Sequence, residues 1–168
     1  MKTSRTTIAA LALSASTLVG LAVHEGYREA AYIPVAGDRP TLGFGDAQGV
    51  KLGDRTDPIR ALIRLNAQAE VFQREMRACI GDVPLYQHEW DAYVSLTFNI
   101  GAGKEGVADG FCWRRLGGHS TIVRRLKAGD YGGACNAILA WDKFRGKPLA
   151  GLTKRRKHEH AQCMGAQP

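Results

Sequence analysis

A chain of 168 residues, 45% of them hydrophobic, can bury one real core, so one folded body is the natural count. A formal net charge of +7 and a sequence pI of about 9.5 point to an anionic partner: nucleic acid, a membrane face, or an acidic polymer such as a cell wall. Aromatic residues make up only 8%, and no zinc-ligand or RNA-platform spacing occurs, which argues against a zinc module and against nucleic acid as the partner.

Lys2 and Arg5 precede a charge-free run from Thr6 to Val23. The run is near the lower limit for crossing a hydrocarbon core of about 30 Å. Ala, Ser, Thr and Gly supply most of it, so insertion is only weakly favourable, and the basic start predicts a cytoplasmic N-terminus with the rest outside. Three readings follow. The run is a signal peptide cleaved near Ala12–Ser16 or at Ala22, a permanent anchor, or a weak anchor that later leaves the membrane and packs on the soluble domain as a helix. Cleavage at Ala22 would leave Glu25 at a frayed terminus, a poor place for a working acid, which favours the releasable anchor. The expected division is a segment over 1–23 and a folded domain over 24–168.

His24 to Asp46 reads HEGYREAAYIPVAGDRPTLGFGD. A short helical tail is expected over Glu25–Tyr32, then a Gly/Pro-rich β-hairpin closing at Thr41–Gly45, then a polar loop over Asp46–Thr56. Asp57-Pro58 predicts a helix start, N-cap followed by first-turn proline. Apolar residues recur at helical spacing from Ile59 to about Cys79, with Arg60, Arg64, Gln68 and Glu75 on a solvated face. Gly81–Pro84 breaks the chain. Tyr86–Ile100 is apolar around much of its circumference and predicts the central core helix. Gly101–Gly110 predicts a flexible loop bordering a cleft. Ser120 is a candidate N-cap for a helix over Ile122–Lys127. Gly129-Asp130 turns the chain into Tyr131–Trp141, Gly146–Gly151 predicts a loop, and Leu152–Met164 a basic last helix. The sum is α+β: mostly helical, with one small β element near the N-terminus.

Four cysteines, Cys79, Cys112, Cys135 and Cys163, form no C-x-x-C pair. An even, widely spaced set suits two disulfides in an oxidising compartment, with three possible pairings.

Glycoside hydrolysis needs a general acid at the leaving oxygen and a second group that handles water or the sugar cation. Glu25 suits the first role, because it follows an apolar helix and partial burial there would keep it protonated near neutral pH. Asp38 and Thr41, across the hairpin, suit the second. Gly43 and Gly45 leave the strand wall bare, so a sugar ring can approach the backbone. Taken alone, a Glu near a helix end and an Asp in a Gly-Asp turn are usually structural.

Read together with later blocks they become specific. His24-Glu25-Gly26-Tyr27-Arg28, Ala31-Tyr32 and Thr41-Leu42-Gly43-Phe44-Gly45 are followed in order by Phe98-Asn99-Ile100-Gly101, Ser120–Leu126 with Ala128-Gly129-Asp130, and Gly151-Leu152 with Arg155-Arg156. This series resembles the phage-type lysozymes, glycoside hydrolase family 24, over nearly all of the chain after His24. The Ala-rich N-terminal run is similar to that of the signal-arrest-release endolysins in this group, which are exported tethered and inactive and become active when the anchor leaves the membrane.

The resemblance implies a lysozyme-like fold with the hairpin beside an active-site cleft. It implies Glu25 as catalytic acid, Thr41 as the active-site threonine, and Asn99 lining the cleft. The usual aspartate, nine positions after the glutamate, falls here on Pro34, and Thr41 stands one position later than usual. Asp38 then either supplies the carboxylate from a shifted backbone or is a turn residue, leaving Glu25 to work with Thr41 and a held water. The resemblance also implies the pairings Cys79–Cys112 and Cys135–Cys163, with no metal and no cofactor. The implied substrate is peptidoglycan, cut by a monomer at the β-1,4 bond between N-acetylmuramic acid and N-acetylglucosamine. The implied place is the host periplasm, with a tether to the inner membrane before release. Two rivals stand beside this: a lytic transglycosylase, and a tethered wall-binding protein with degraded catalysis. His24 is expected to be structural, Trp141 to belong to the core, and Arg114, Arg115, Arg124, Arg125 and Lys154–Lys157 to be solvated basic faces.

Overall fold

The computed structural model describes residues 4–35 and 37–165; Lys2 of the basic start lies outside them. In chain order the elements are α1 (Ala15–Glu25), β1 (Arg28–Tyr32), β2 (Thr41–Gly43), α2 (Pro58–Ile80), α3 (Gln87–Ile100), α4 (Thr121–Lys127), α5 (Tyr131–Ala137), β3 (Lys143–Phe144), β4 (Lys147–Pro148) and α6 (Ala150–Cys163). Short 3-10 turns cover Ile8–Ala10 and Ile138–Trp141. Two antiparallel strand pairs, β1 with β2 and β3 with β4, accompany the helices, so the class is mostly helical α+β. The chain divides into two compact units, Ala15–Glu70 and the remainder, with the boundary inside α2.

In the larger unit α3 is the central helix, buried without interruption from Glu89 to Thr97. Trp90, Tyr93 and Leu96 pack with Met76 and Ile80 of α2, Phe111, and Ile122 and Leu126 of α4. Ser120 caps α4 by accepting the Val123 N–H at 3.2 Å, and Asp130 caps α5 by accepting the Gly133 N–H at 2.9 Å. The Asp130 carboxyl is held below the ordinary range, first by that backbone bond and then by Arg125. Disulfides join Cys79 to Cys112 and Cys135 to Cys163, each with Cα atoms 5.7 Å apart.

Residues 5–14 belong to this unit and cross it as a strap. Arg5 donates twice to the buried carboxylate of Glu89, at 2.7 and 3.1 Å, and its guanidinium lies over the rings of Tyr131 (3.6 Å) and Tyr86 (4.4 Å). Thr6 and Leu85 exchange backbone bonds of 3.0 and 2.9 Å. Ile8 and Leu11 are buried in the core, and Arg77 donates to both of their carbonyls. Gln73 accepts the Leu13 N–H and Asp91 accepts the Ser14 N–H, both at 2.9 Å. The charge-free run is thus strap, 3-10 turn and α1 rather than one continuous helix. Among the described residues no helix is long and apolar enough to cross a membrane.

Three expectations need correction. The helical tail over Glu25–Tyr32 does not form: α1 stops at Glu25, where Gly26 takes φ +70° and bonds back to Ala22 O at 3.1 Å. The next residues pair as β1 with β2, and with Asp54 and Thr56 on the other edge, so tertiary pairing overrides the helix propensity of Glu29-Ala30-Ala31. Gly101–Gly110 is an ordered loop. A Lys104–Ala108 bridge closes it, and Gly103 and Gly110 come so close that a Cβ on Gly110 would meet Gly103 N at 2.2 Å. The basic run of α6 is not all solvated. Arg156 and Glu159 are both 1% exposed, and Arg155 turns inward to the same carboxylate.

Candidate active site

Glu25 is the last residue of α1, in the smaller unit. It follows Thr17 and Leu21 at intervals of four, so it shares their face. Those two are buried, and Glu25 is half-buried. Its carboxylate comes against bare backbone: a Cβ built on Gly45 would stand 3.8 Å from Glu25 Oε2.

Gly45 belongs to a tight turn in which Leu42 and Asp46 exchange backbone hydrogen bonds of 2.9 and 3.1 Å. Gly43 and Gly45 have φ of +64° and +82°, values that L side chains rarely adopt. A Cβ on Gly43 would lie 2.9 Å from that of Ala61, so α2 closes on the turn there. Tyr27 packs its ring 5.6 Å from Phe44 and donates its hydroxyl to Thr56 O at 2.8 Å.

Thr41 opens β2 opposite Tyr32. Its hydroxyl is buried and meets no hydrogen-bond partner among the described residues. Buried hydroxyls are nearly always satisfied, so this one holds bonding capacity in reserve in the strand that feeds the Gly45 turn. Asp38 is exposed in the connection between the strands, its N–H bonded to Val35 O at 2.9 Å. Asn99 is exposed in the last turn of α3, in the larger unit; the helix is capped by Gly101, whose N–H reaches Thr97 O at 2.7 Å. His24 is exposed. Trp141 packs on the core and also lines a groove of about 530 Å³ in the larger unit, with Trp113, Arg114 and Asn136.

One residue that holds the site went unread in the sequence. Asp46, placed at the start of a polar loop, is buried and clamps the turn. It accepts the Gln48 N–H and Gln68 Nε2, each at 2.9 Å, and pairs with Arg64. Its signal was an acid directly after Gly-Phe-Gly, facing Arg64 and Gln68 four apart on α2. Asp46→Ala is expected to lower unfolding free energy by about 2 kcal/mol, the scale of lost charge-assisted hydrogen bonds. Asp46→Asn, which keeps an acceptor, is expected to lose less; paired urea titrations compare the two.

The sequence profile of the phage lysozyme family matches residues 22–159, a span that contains Glu25, Thr41 and the Asp46 clamp. The chain belongs to the phage lysozyme family. An endolysin of Acyrthosiphon pisum secondary endosymbiont phage 1 is 36% identical over 160 residues, covering 89% of this chain and 95% of that protein. The SAR-endolysin of Pseudomonas phage phiKMV is 30% identical over 154 residues, covering 89% and 87%. Among solved structures, the endolysin from Escherichia coli O157:H7 phage FAHEc1 superposes with a TM-score of 0.72 at 28% identity, covering 94% of this chain and 96% of that one. As a phage lysozyme, the protein is a glycoside hydrolase acting on peptidoglycan and a lytic enzyme of the bacterial wall.

Proposed function

We propose that Glu25 is the general acid of this muramidase and that Thr41 holds the water or steadies the sugar beside it. One observation carries the reading: the Glu25 carboxylate lies against the side-chain-free backbone of Gly45, in the turn that Thr41's strand enters. There the acid can protonate the glycosidic oxygen, while the bare turn admits a ring at backbone distance. Thr41 brings a buried hydroxyl with no hydrogen-bond partner among the described residues. Asp38, exposed in its turn, is assigned a supporting place at the hairpin rather than the second catalytic role. Mass spectrometry of the fragments released from purified sacculi tests the reaction: reducing muramic acid ends are expected, and 1,6-anhydro ends would overturn hydrolysis.

The N-terminal run works first as a tether to the inner membrane, and the lysozyme acts in the periplasm after the run is released. The names of the SAR-endolysin relatives support this, and so does the seat that residues 5–14 have on the larger unit. A segment that must leave lipid needs somewhere to satisfy its backbone and its cation. Glu89, Gln73, Asp91 and Arg77 supply that place. Arg5→Ala would leave Glu89, 4% exposed on its side chain, without its cation. The expected loss is about 2 kcal/mol of stability in the released form, below the 3–5 kcal/mol of a fully buried pair because Arg5 is partly solvated. Urea unfolding of the soluble protein measures it, and a wild-type midpoint would remove Arg5 from the account.

A further inference from the structure

We propose that the β3–β4 hairpin is a docking surface for an anionic lipid bilayer. Every residue from Lys143 to Ala150 is exposed, including both two-residue strands. At its tip Phe144 is 62% exposed, and Leu149 behind it 52%. An isolated exposed apolar residue needs no explanation, but this ring sits between Lys143, Arg145 and Lys147, with the Arg145 guanidinium 5.3 Å from its centroid. The next exposed charges, Lys154 and Lys157 on α6, are also basic and three apart on one face. From Lys143 to His158 the sequence contains no acid. Arg155 and Arg156 in this stretch are spent on Glu159, so the outward charge is the hairpin's three cations and the two lysines of α6.

Charge alone would suit any polyanion. The apolar tip selects a bilayer, whose interface takes an aromatic ring into the headgroup level while lysines and arginines meet anionic lipid around it. The hairpin is well built for this. It buries little in the protein, and Leu149 N–H to Asp142 O (2.9 Å) and Thr153 Oγ1 to Asp142 Oδ2 (3.0 Å) fix its base. The contact is separate from the N-terminal tether and would persist after release, keeping the enzyme at the membrane face of the wall.

The experiment is co-sedimentation of the full chain with vesicles of one part phosphatidylglycerol to three parts phosphatidylcholine, and with pure phosphatidylcholine. The N-terminal run is common to all variants, so differences report the hairpin. K143Q/R145Q/K147Q is expected to lower partitioning onto the anionic vesicles about a hundredfold, and F144S about tenfold. The F144S deficit is expected to persist at about 0.5 M salt, where surface charge is screened. Both variants are expected to cleave soluble glycan chains at the wild-type rate. Wild-type vesicle binding by F144S would overturn the proposal. So would an equal F144S loss on purified sacculi or on heparin, which would make the hairpin a polymer-binding face instead.

Discussion

Glu25→Gln is expected to lower digestion of purified sacculi about a thousandfold while the protein stays folded. A positioned general acid contributes roughly 10²–10⁴ in rate, and the amide keeps the shape of the side chain while losing the transferable proton. Stability is expected to change far less than activity, because the amide keeps the volume of a half-buried side chain at the end of α1. Thr41→Val gives the companion result. It exchanges a buried hydroxyl that has no partner among the described residues for a methyl, so the fold is expected to gain about 1 kcal/mol while activity falls. A residue that served packing would behave the opposite way on both counts. Wall digestion by Glu25→Gln above a tenth of the wild-type rate would remove the acid from the mechanism, and a destabilised Thr41→Val would remove the argument from the idle hydroxyl. Turbidity clearing and urea titration of the same preparations read both quantities.

What the sequence revealed and what it hid divide by the range of the interactions involved. Helix starts were legible because their causes are local: Asp57 accepts the Arg60 N–H and Ser120 the Val123 N–H, each within one turn. The apolar circumference of Tyr86–Ile100 marked α3 as central for the same reason, since burial of a helix on all sides is written in the helix itself. What stayed hidden was settled at long range. Glu29-Ala30-Ala31 reads as helix until Gly26 ends α1 and residues 54–56 offer a partner edge. The Thr6–Val23 run reads as one apolar segment, yet its first half is held by Gln73, Arg77 and Asp91, 60 to 77 positions away. Glu25 and Thr41 are proposed from the family pattern, whereas Asp46 reads as a loop residue. Its function is to hold a glycine turn, and that depends on where α2 lies.

The same long-range logic makes Glu159 the residue whose loss should cost the fold most. Three hydrogen bonds converge on its buried carboxylate, from Ser95 Oγ at 2.9 Å, Arg155 Nε at 3.2 Å and Arg156 Nη2 at 3.0 Å, and Arg156 Nε stands 2.7 Å from the other oxygen as an ion pair. Desolvation pushes the Glu159 carboxyl up and the Arg156 guanidinium down, against their mutual attraction. With the folded pKa of the acid raised, any contribution from its protonation is complete below the unfolded pKa and is lost as pH rises through the folded one. At neutral pH desolvation therefore offsets much of the attraction within the ionised pair. Breaking it on one side is another matter. Glu159→Gln keeps the Ser95 bond but strands the Arg156 charge in the core, and is expected to cost about 3–5 kcal/mol. Replacing both partners, Arg156→Met with Glu159→Leu, removes both of their desolvation penalties and is expected to recover part of that loss, the remainder being the bonds that Ser95 and Arg155 made to the carboxylate. A urea double-mutant cycle decides the matter. If Glu159→Gln loses less than about 1 kcal/mol, the buried carboxylate does not hold α6 to α3; if the double variant falls as far as the single one, the ionised pair is itself the source of stability.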